Sequence, residues 1–146
     1  MTDYVVKRVT EPNIYGLVYQ FYLEEWENVC KIFGHEFDRE RFDFVRYALD
    51  NLLLVCFYRS YPIGILMARL YPSVWDSGKK VLFQDLLYCK KSKTRAPHLL
   101  LREFIDFGRA NANLVFTCRT PYTNIKEHSL EKLGFKKTEE LYLLGK

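Results

Sequence analysis

Apolar and polar positions fall in blocks along this chain, and the period changes from block to block. Tyr4-Val5-Val6-Lys7-Arg8-Val9 has strand composition, rich in β-branched residues. Thr10 is a good N-cap, with Glu11 and Pro12 in the first turn after it. Ile14, Leu17, Val18, Phe21 and Tyr22 recur at helical spacing and Trp26 continues that face, which predicts an amphipathic helix to about Glu27. Lys31 to Phe37 has no clear period, contains Gly34 and reads as a loop. Asp38 caps a second predicted helix with Phe42, Val45, Tyr47 and Leu49 as its apolar positions.

The pattern then turns to strands. Leu52 to Tyr58 is an apolar run, Arg59-Ser60-Tyr61-Pro62 is a turn in which Pro62 fixes its own φ, and Ile63 to Leu70 is the partner strand of a hairpin. Gly64, early in that strand, signals a bulge or a close backbone approach. Pro72 to Lys80 is a polar hairpin loop turning at Asp76-Ser77-Gly78, and Val81 to Tyr88 is a buried strand. The helix opened by Ala96-Pro97-His98 runs through Leu100, Leu101, Phe104, Ile105 and Gly108 and ends near Asn111. Leu114 to Cys118 is a strand, Arg119 to Asn124 a loop, Ile125 to Leu133 a short helix with Gly134 at C′, and Lys136 to Leu144 a last strand.

The predicted order is β-α-α-β-β-β-α-β-α-β. Hairpin-joined strands make an antiparallel half, and the strand-helix-strand unit from Val81 to Cys118 makes a parallel crossover. A mixed, mostly antiparallel sheet with helices on both faces follows, of class α+β or mixed α/β. The 146 residues fit one domain, 1–146, with a real core, and 11 Tyr, 11 Phe and 2 Trp supply much of it.

Charge narrows the chemistry only slightly. A net charge of +4 suits an anionic small ligand as well as a nucleic acid. Cys30, Cys56, Cys89 and Cys118 fit no zinc spacing and read as buried free thiols, so no metal is expected. No secretory signal is visible and no apolar run reaches the ~18 residues of a membrane helix, so the expected setting is the cytoplasm, with no membrane contact.

The stretch that organises the chain is Val81 to Arg102. A buried strand leads into a basic loop, Lys90-Lys91-Ser92-Lys93-Thr94-Arg95, and then into a helix N-terminus. First-turn N–H groups lack intrahelical partners and carry the positive end of the dipole, so this corner suits an anion. A basic run of this kind also reads as an ordinary solvated loop.

The element order and three stretches of residues resemble the GNAT superfamily of acyl-CoA-dependent N-acyltransferases. The stretches are Leu52 to Leu70 with Pro62-Ile63-Gly64, Phe83 to Cys89 with its basic loop and helix, and Leu130-Glu131-Lys132-Leu133-Gly134-Phe135. The resemblance spans nearly the whole chain and implies acetyl-CoA as co-substrate and an unidentified primary amine as acceptor. It implies that the fourth and fifth strands splay and that the pantetheine arm lies along the Leu86–Cys89 edge, at Leu87, Tyr88 and Cys89. It implies a pyrophosphate on Lys93, Thr94, Arg95, Ala96, Pro97 and His98, and Asn124 as a cofactor contact where a plain reading makes it an N-cap.

Two departures from the family pattern stand out. Its phosphate loop carries glycines, and none occurs between Tyr88 and Phe107; the marked positions fall on Lys93, Ala96 and His98 or on Lys91, Thr94 and Ala96. Side-chain cations stand where backbone N–H groups usually serve, and Pro97 has no N–H. Leu130 stands where the family's general-acid tyrosine aligns, leaving Tyr122 and Ser129, beside His128, as substitute proton donors. Asp85 and Gln84 point to opposite faces of their strand, and Asp85 is the titratable candidate base or else one half of an ion pair. His35 and Glu36 lie in the loop that lines the acceptor site in this family.

Three functions follow: an N-acetyltransferase; a GNAT-fold binding protein without chemistry, with Tyr15, Tyr19, Trp26 and Phe33 as a contact face for a protein partner; and, with least support, nucleic-acid binding through Lys79, Lys80 and Lys90 to Arg95.

Overall fold

The computed structural model describes residues 3–10, 12–32, 44–76, 78–119, 125–140, 142 and 144. They form β1 (Tyr4–Arg8), α1 (Pro12–Ile32), α2 (Phe44–Asp50), β2 (Leu52–Tyr58), β3 (Tyr61–Pro72), β4 (Lys80–Cys89), α3 (Ala96–Asn111), β5 (Leu114–Phe116) and α4 (Glu127–Lys132). The five strands make one sheet in sequence order. β1 to β4 pair antiparallel, and β5 joins β4 parallel after the α3 crossover. The predicted mixed, mostly antiparallel α+β architecture is the one observed.

Each face of the sheet has its own core. On one side Leu52, Leu54, Leu66, Ala68, Leu82 and Leu87 pack against Leu100, Leu101 and Phe104 of α3 and Leu130 of α4. On the other, Leu53, Val55, Ile65, Met67 and Leu86 pack against Val18, Phe21 and Tyr22 of α1 and Ala48 of α2. Strand alternation produces this division, and it explains why β2 is apolar without interruption: both of its faces are covered.

Several boundaries differ from the sequence pattern. α1 continues past Glu27 to Ile32, because Cys30 extends the buried face of Val18 and Tyr22 and Lys31 complements the C-terminal dipole. Leu17 is exposed, off that face. In α2 the buried residue is Ala48, while Leu49 is exposed. β5 stops at Phe116, short of Cys118. No described residue of the predicted last strand (136–140, 142 and 144) pairs in a strand. All of its described side chains are exposed, and Lys137 and Tyr142 bond locally to Glu140. Residues 33–37 of the predicted loop, the Asp38 cap and the start of the second predicted helix through Phe42 lie outside the described part.

Turn chemistry accounts for two tight ends. Gly134 has φ 98, and the Gly134 and Phe135 amides donate to Glu131 and Leu130 carbonyls, a Schellman closure of α4. β2 and β3 are joined by two residues, Arg59 (φ 49) and Ser60 (φ 72), both left-handed without being glycine. Ser60→Gly is therefore expected to stabilise the chain by about 0.5–1 kcal/mol, raising the melting temperature by about 2 °C in a thermal unfolding series.

Candidate active site

The site is set by where the β4–β5 ladder ends. Their ladder runs only from Val81↔Leu114 to Phe83↔Phe116, whereas β4 continues to Cys89. Immediately past that point β4 carries a bulge. Met67 pairs with Leu86 and Ala68 with Gln84, which leaves Asp85 as the extra residue. The bulge slips the alternation by one, so Leu82 and Leu87, an odd number of residues apart, both face α3.

Gln84 and Asp85 consequently serve opposite sides of β4. Gln84 is fully buried; its amide oxygen accepts from the Thr117 hydroxyl and its amide nitrogen reaches the Cys118 carbonyl at 3.5 Å, so it ties β4 to the strand end beyond β5. Asp85 faces α2. The Tyr47 hydroxyl donates to its Oδ2 at 2.6 Å, and Arg69 Nε donates to both oxygens at 2.9 and 2.8 Å. The bond to Asp85 raises the Arg69 pKa further, and burial followed by the same carboxylate pushes the Tyr47 phenol well above its ordinary range. Burial and then the Asp85 charge raise the Cys118 thiol. A carboxylate has about four lone-pair sites, and three contacts leave one for a substrate proton.

The basic loop is built differently from the simple picture of free cations. The Lys93 amide donates to the Lys90 carbonyl and the Ala96 amide to the Lys93 carbonyl, folding the loop into two successive turns. The amides of Thr94, Arg95 and His98 have no protein acceptor among the described residues, and they sit at the start of α3. Lys93 Nζ lies 3.5 Å from the Tyr58 ring centroid, Arg95 stands 5.5 Å over Tyr4, and the two rings are 4.9 Å apart. The cations are thus seated on an aromatic pair from β1 and β2, which fixes their positions at modest cost in charge. Ala96 and Pro97 are buried and anchor the helix start, while Thr94 is exposed and His98 half-buried.

Leu87 and Cys89 are core residues, Tyr88 packs toward Phe21, and burial raises the Cys89 thiol. A Cβ at Gly64 would stand 2.7 Å from Cys89 Sγ, so Gly64 answers to a close approach. Burial also pushes the Cys56 thiol up to about 11. All four cysteines are free, Cys118 being the least buried. Leu130 is in the α3-side core and Ser129 is half-buried on α4. Tyr122, Asn124, His35, Glu36 and Phe33 lie outside the described residues, as do the side chains of Tyr15 and Trp26. Tyr19 is half-buried, stacked on Tyr22, rather than part of an exposed face.

The ion-pair alternative for Asp85 is the one observed, but the sequence named neither Arg69 nor Tyr47 as its partner, nor Tyr4 and Tyr58 as seats for the basic loop. Arg69 did leave a signal, being the one charge in an otherwise apolar strand. Among the described residues no helix is long and apolar enough to cross a membrane.

Architecture of this kind recurs among solved structures. The chain is similar to a putative acetyltransferase from Agrobacterium tumefaciens str. C58 (TM-score 0.70, 11% identity, covering 97% of this chain and 99% of that one). It is similar to an aminoglycoside acetyltransferase from an uncultured soil metagenomic sample (TM-score 0.66, 12% identity, 98% and 97% covered). The chain has the GNAT fold. The same comparison includes a transcriptional regulator from Bacillus halodurans C-125 (TM-score 0.66, 14% identity, 97% and 98% covered), so the GNAT fold does not by itself fix an activity. No family model and no curated protein matches the chain.

Proposed function

We propose that this GNAT-fold protein is an N-acetyltransferase that moves an acetyl group from acetyl-CoA to a primary amine. The observation that carries the reading is the end of the β4–β5 ladder at Phe83, with a bulged carboxylate, Asp85, just past it and a helix N-terminus after the end of β4. The residues present fit such a co-substrate. The Thr94, Arg95 and His98 amides are donors without protein acceptors, and Lys93 and Arg95 are fixed cations beside them. Leu87, Tyr88 and Cys89 would flank the pantetheine arm, and Asn124 is a proposed cofactor contact.

In this reading the amine nitrogen attacks the thioester carbonyl, and the carbon–sulfur bond breaks as the amide forms. Asp85 takes the amine proton through its remaining lone-pair site. Ser129 and Tyr122 are the hydroxyls proposed to protonate the departing sulfur. Thiols leave far more readily than amines, so burying Leu130 at the family's tyrosine position slows the step without forbidding it. That same burial favours a second reading, a GNAT-fold binding protein without chemistry.

Thiol release from acetyl-CoA, measured across a panel of primary amines, separates the two. Release that needs both protein and amine supports transfer. Acetyl-CoA binding with no release for any amine supports the binding protein.

A further inference from the structure

β3 is buried from Pro62 to Ala68 and then presents a single cation, Arg69. Its guanidinium is held from two sides. The one N–H of Nε is shared between both oxygens of Asp85, and the cation lies 5.8 Å over the Tyr71 ring. Asp85 is itself fixed by the Tyr47 hydroxyl and by its place in the bulge. Of the five N–H donors of a guanidinium, the four on the terminal nitrogens meet no acceptor among the described residues. The Arg69 side chain is 53% exposed and that of Asp85 27%, so the outward end is open to a ligand.

The terminal nitrogens of arginine form a planar fork that matches a carboxylate. Here the carboxylate takes Nε and leaves the terminal nitrogens without an acceptor among the described residues. The two charges of the pair also lie side by side, a negative group next to a positive one. A zwitterion with an amine and a carboxylate a few bonds apart complements that arrangement: ammonium toward Asp85, carboxylate onto the Arg69 fork. A phosphate dianion fits worse, because one cation already shared with Asp85 would not balance it.

We propose that Arg69 is the acceptor-recognition residue and that the acceptor is an amine carrying a nearby carboxylate, of the amino-acid class. The naming of the acceptor rests on the acetyltransferase reading; the carboxylate site itself does not.

The test uses N-acetylglycine, its neutral counterpart N-acetylglycinamide and inorganic phosphate, each titrated into the whole chain while the Arg Nε–H resonances are followed by NMR. N-acetylglycine is expected to shift the Arg69 signal and to bind about 10-fold or more tightly than the amide, a difference abolished in Arg69→Gln. Arg69→Lys keeps the charge but loses the fork, and is expected to fall between the two; it serves if Arg69→Gln does not fold. Equal binding of acid and amide, or phosphate binding as tightly as the acid, overturns the proposal. Acid-selective binding without any acetyl-CoA binding supports the carboxylate site and defeats the acetyltransferase reading alone. Acetyl transfer that is indifferent to an acceptor carboxylate does the reverse.

Discussion

Asp85→Asn is expected to lower kcat/KM for amine acetylation by about 100-fold or more, the loss typical of removing a positioned general base. The substitution is nearly isosteric, and the asparagine oxygen can still accept from Arg69 Nε, 2.8 Å from Oδ2 in the native site. What disappears is the charge proposed to take up the amine proton. Acetyl-CoA affinity should change little, because the phosphate-facing donors are on the loop before α3, at the other end of β4. Steady-state kinetics with a calorimetric control for acetyl-CoA checks both halves. A drop in kcat/KM confined to weaker acetyl-CoA binding would assign Asp85 to cofactor binding and not to proton transfer.

Gly108→Ala is expected to destabilise the protein although alanine is the better helix former. In an open helix the exchange would gain about 1 kcal/mol. Gly108 is where α3 crosses closest to the sheet, and a Cβ there would run into Val115 Cγ2 and stand 3.3 Å from Leu82 Cδ2. Val115 is β-branched and paired in β5, so it has little freedom to turn away. Overpacking of this kind costs about 1–3 kcal/mol, enough to outweigh the propensity gain, and a melting temperature lower by several degrees should result. Val115→Ala should recover much of the loss, and a double-mutant cycle should show a coupling of about 1 kcal/mol. Because Val115 sits in the β4–β5 ladder, the single variant should also disturb the candidate site.

The long elements were legible because their periods are strong. Leu52 to Tyr58 is a continuous apolar run, Val81 to Tyr88 is apolar but for Gln84 and Asp85, and Leu100, Leu101, Phe104 and Gly108 mark one face of α3. The seven-residue α2 holds too few turns to define a face, and Leu49 was placed inward where Ala48 is buried. The predicted last strand had strand composition, but none of its described residues is buried or paired. The β4 bulge was not legible at all, since adding one residue to a strand leaves its composition unchanged.

The site divided along the same line. Its chemistry could be read locally, as a carboxylate on the fourth strand and cations before α3. Its geometry depends on residues distant in sequence: Tyr47 and Arg69 reach Asp85 from 38 and 16 positions away, and Tyr4 and Tyr58 meet Lys93 and Arg95 across the sheet. Those partners decide which lone pairs and which N–H groups remain for a ligand, and no spacing rule predicts them.

Calorimetric titration of acetyl-CoA into the full chain tests the central claim most directly. Saturable binding is expected in the range of about 1 μM to 1 mM usual for enzyme substrates. The double variant Lys93→Ala, Arg95→Ala should weaken it about 10-fold or more while leaving a pantetheine fragment little affected. No heat of binding at millimolar acetyl-CoA would contradict the account.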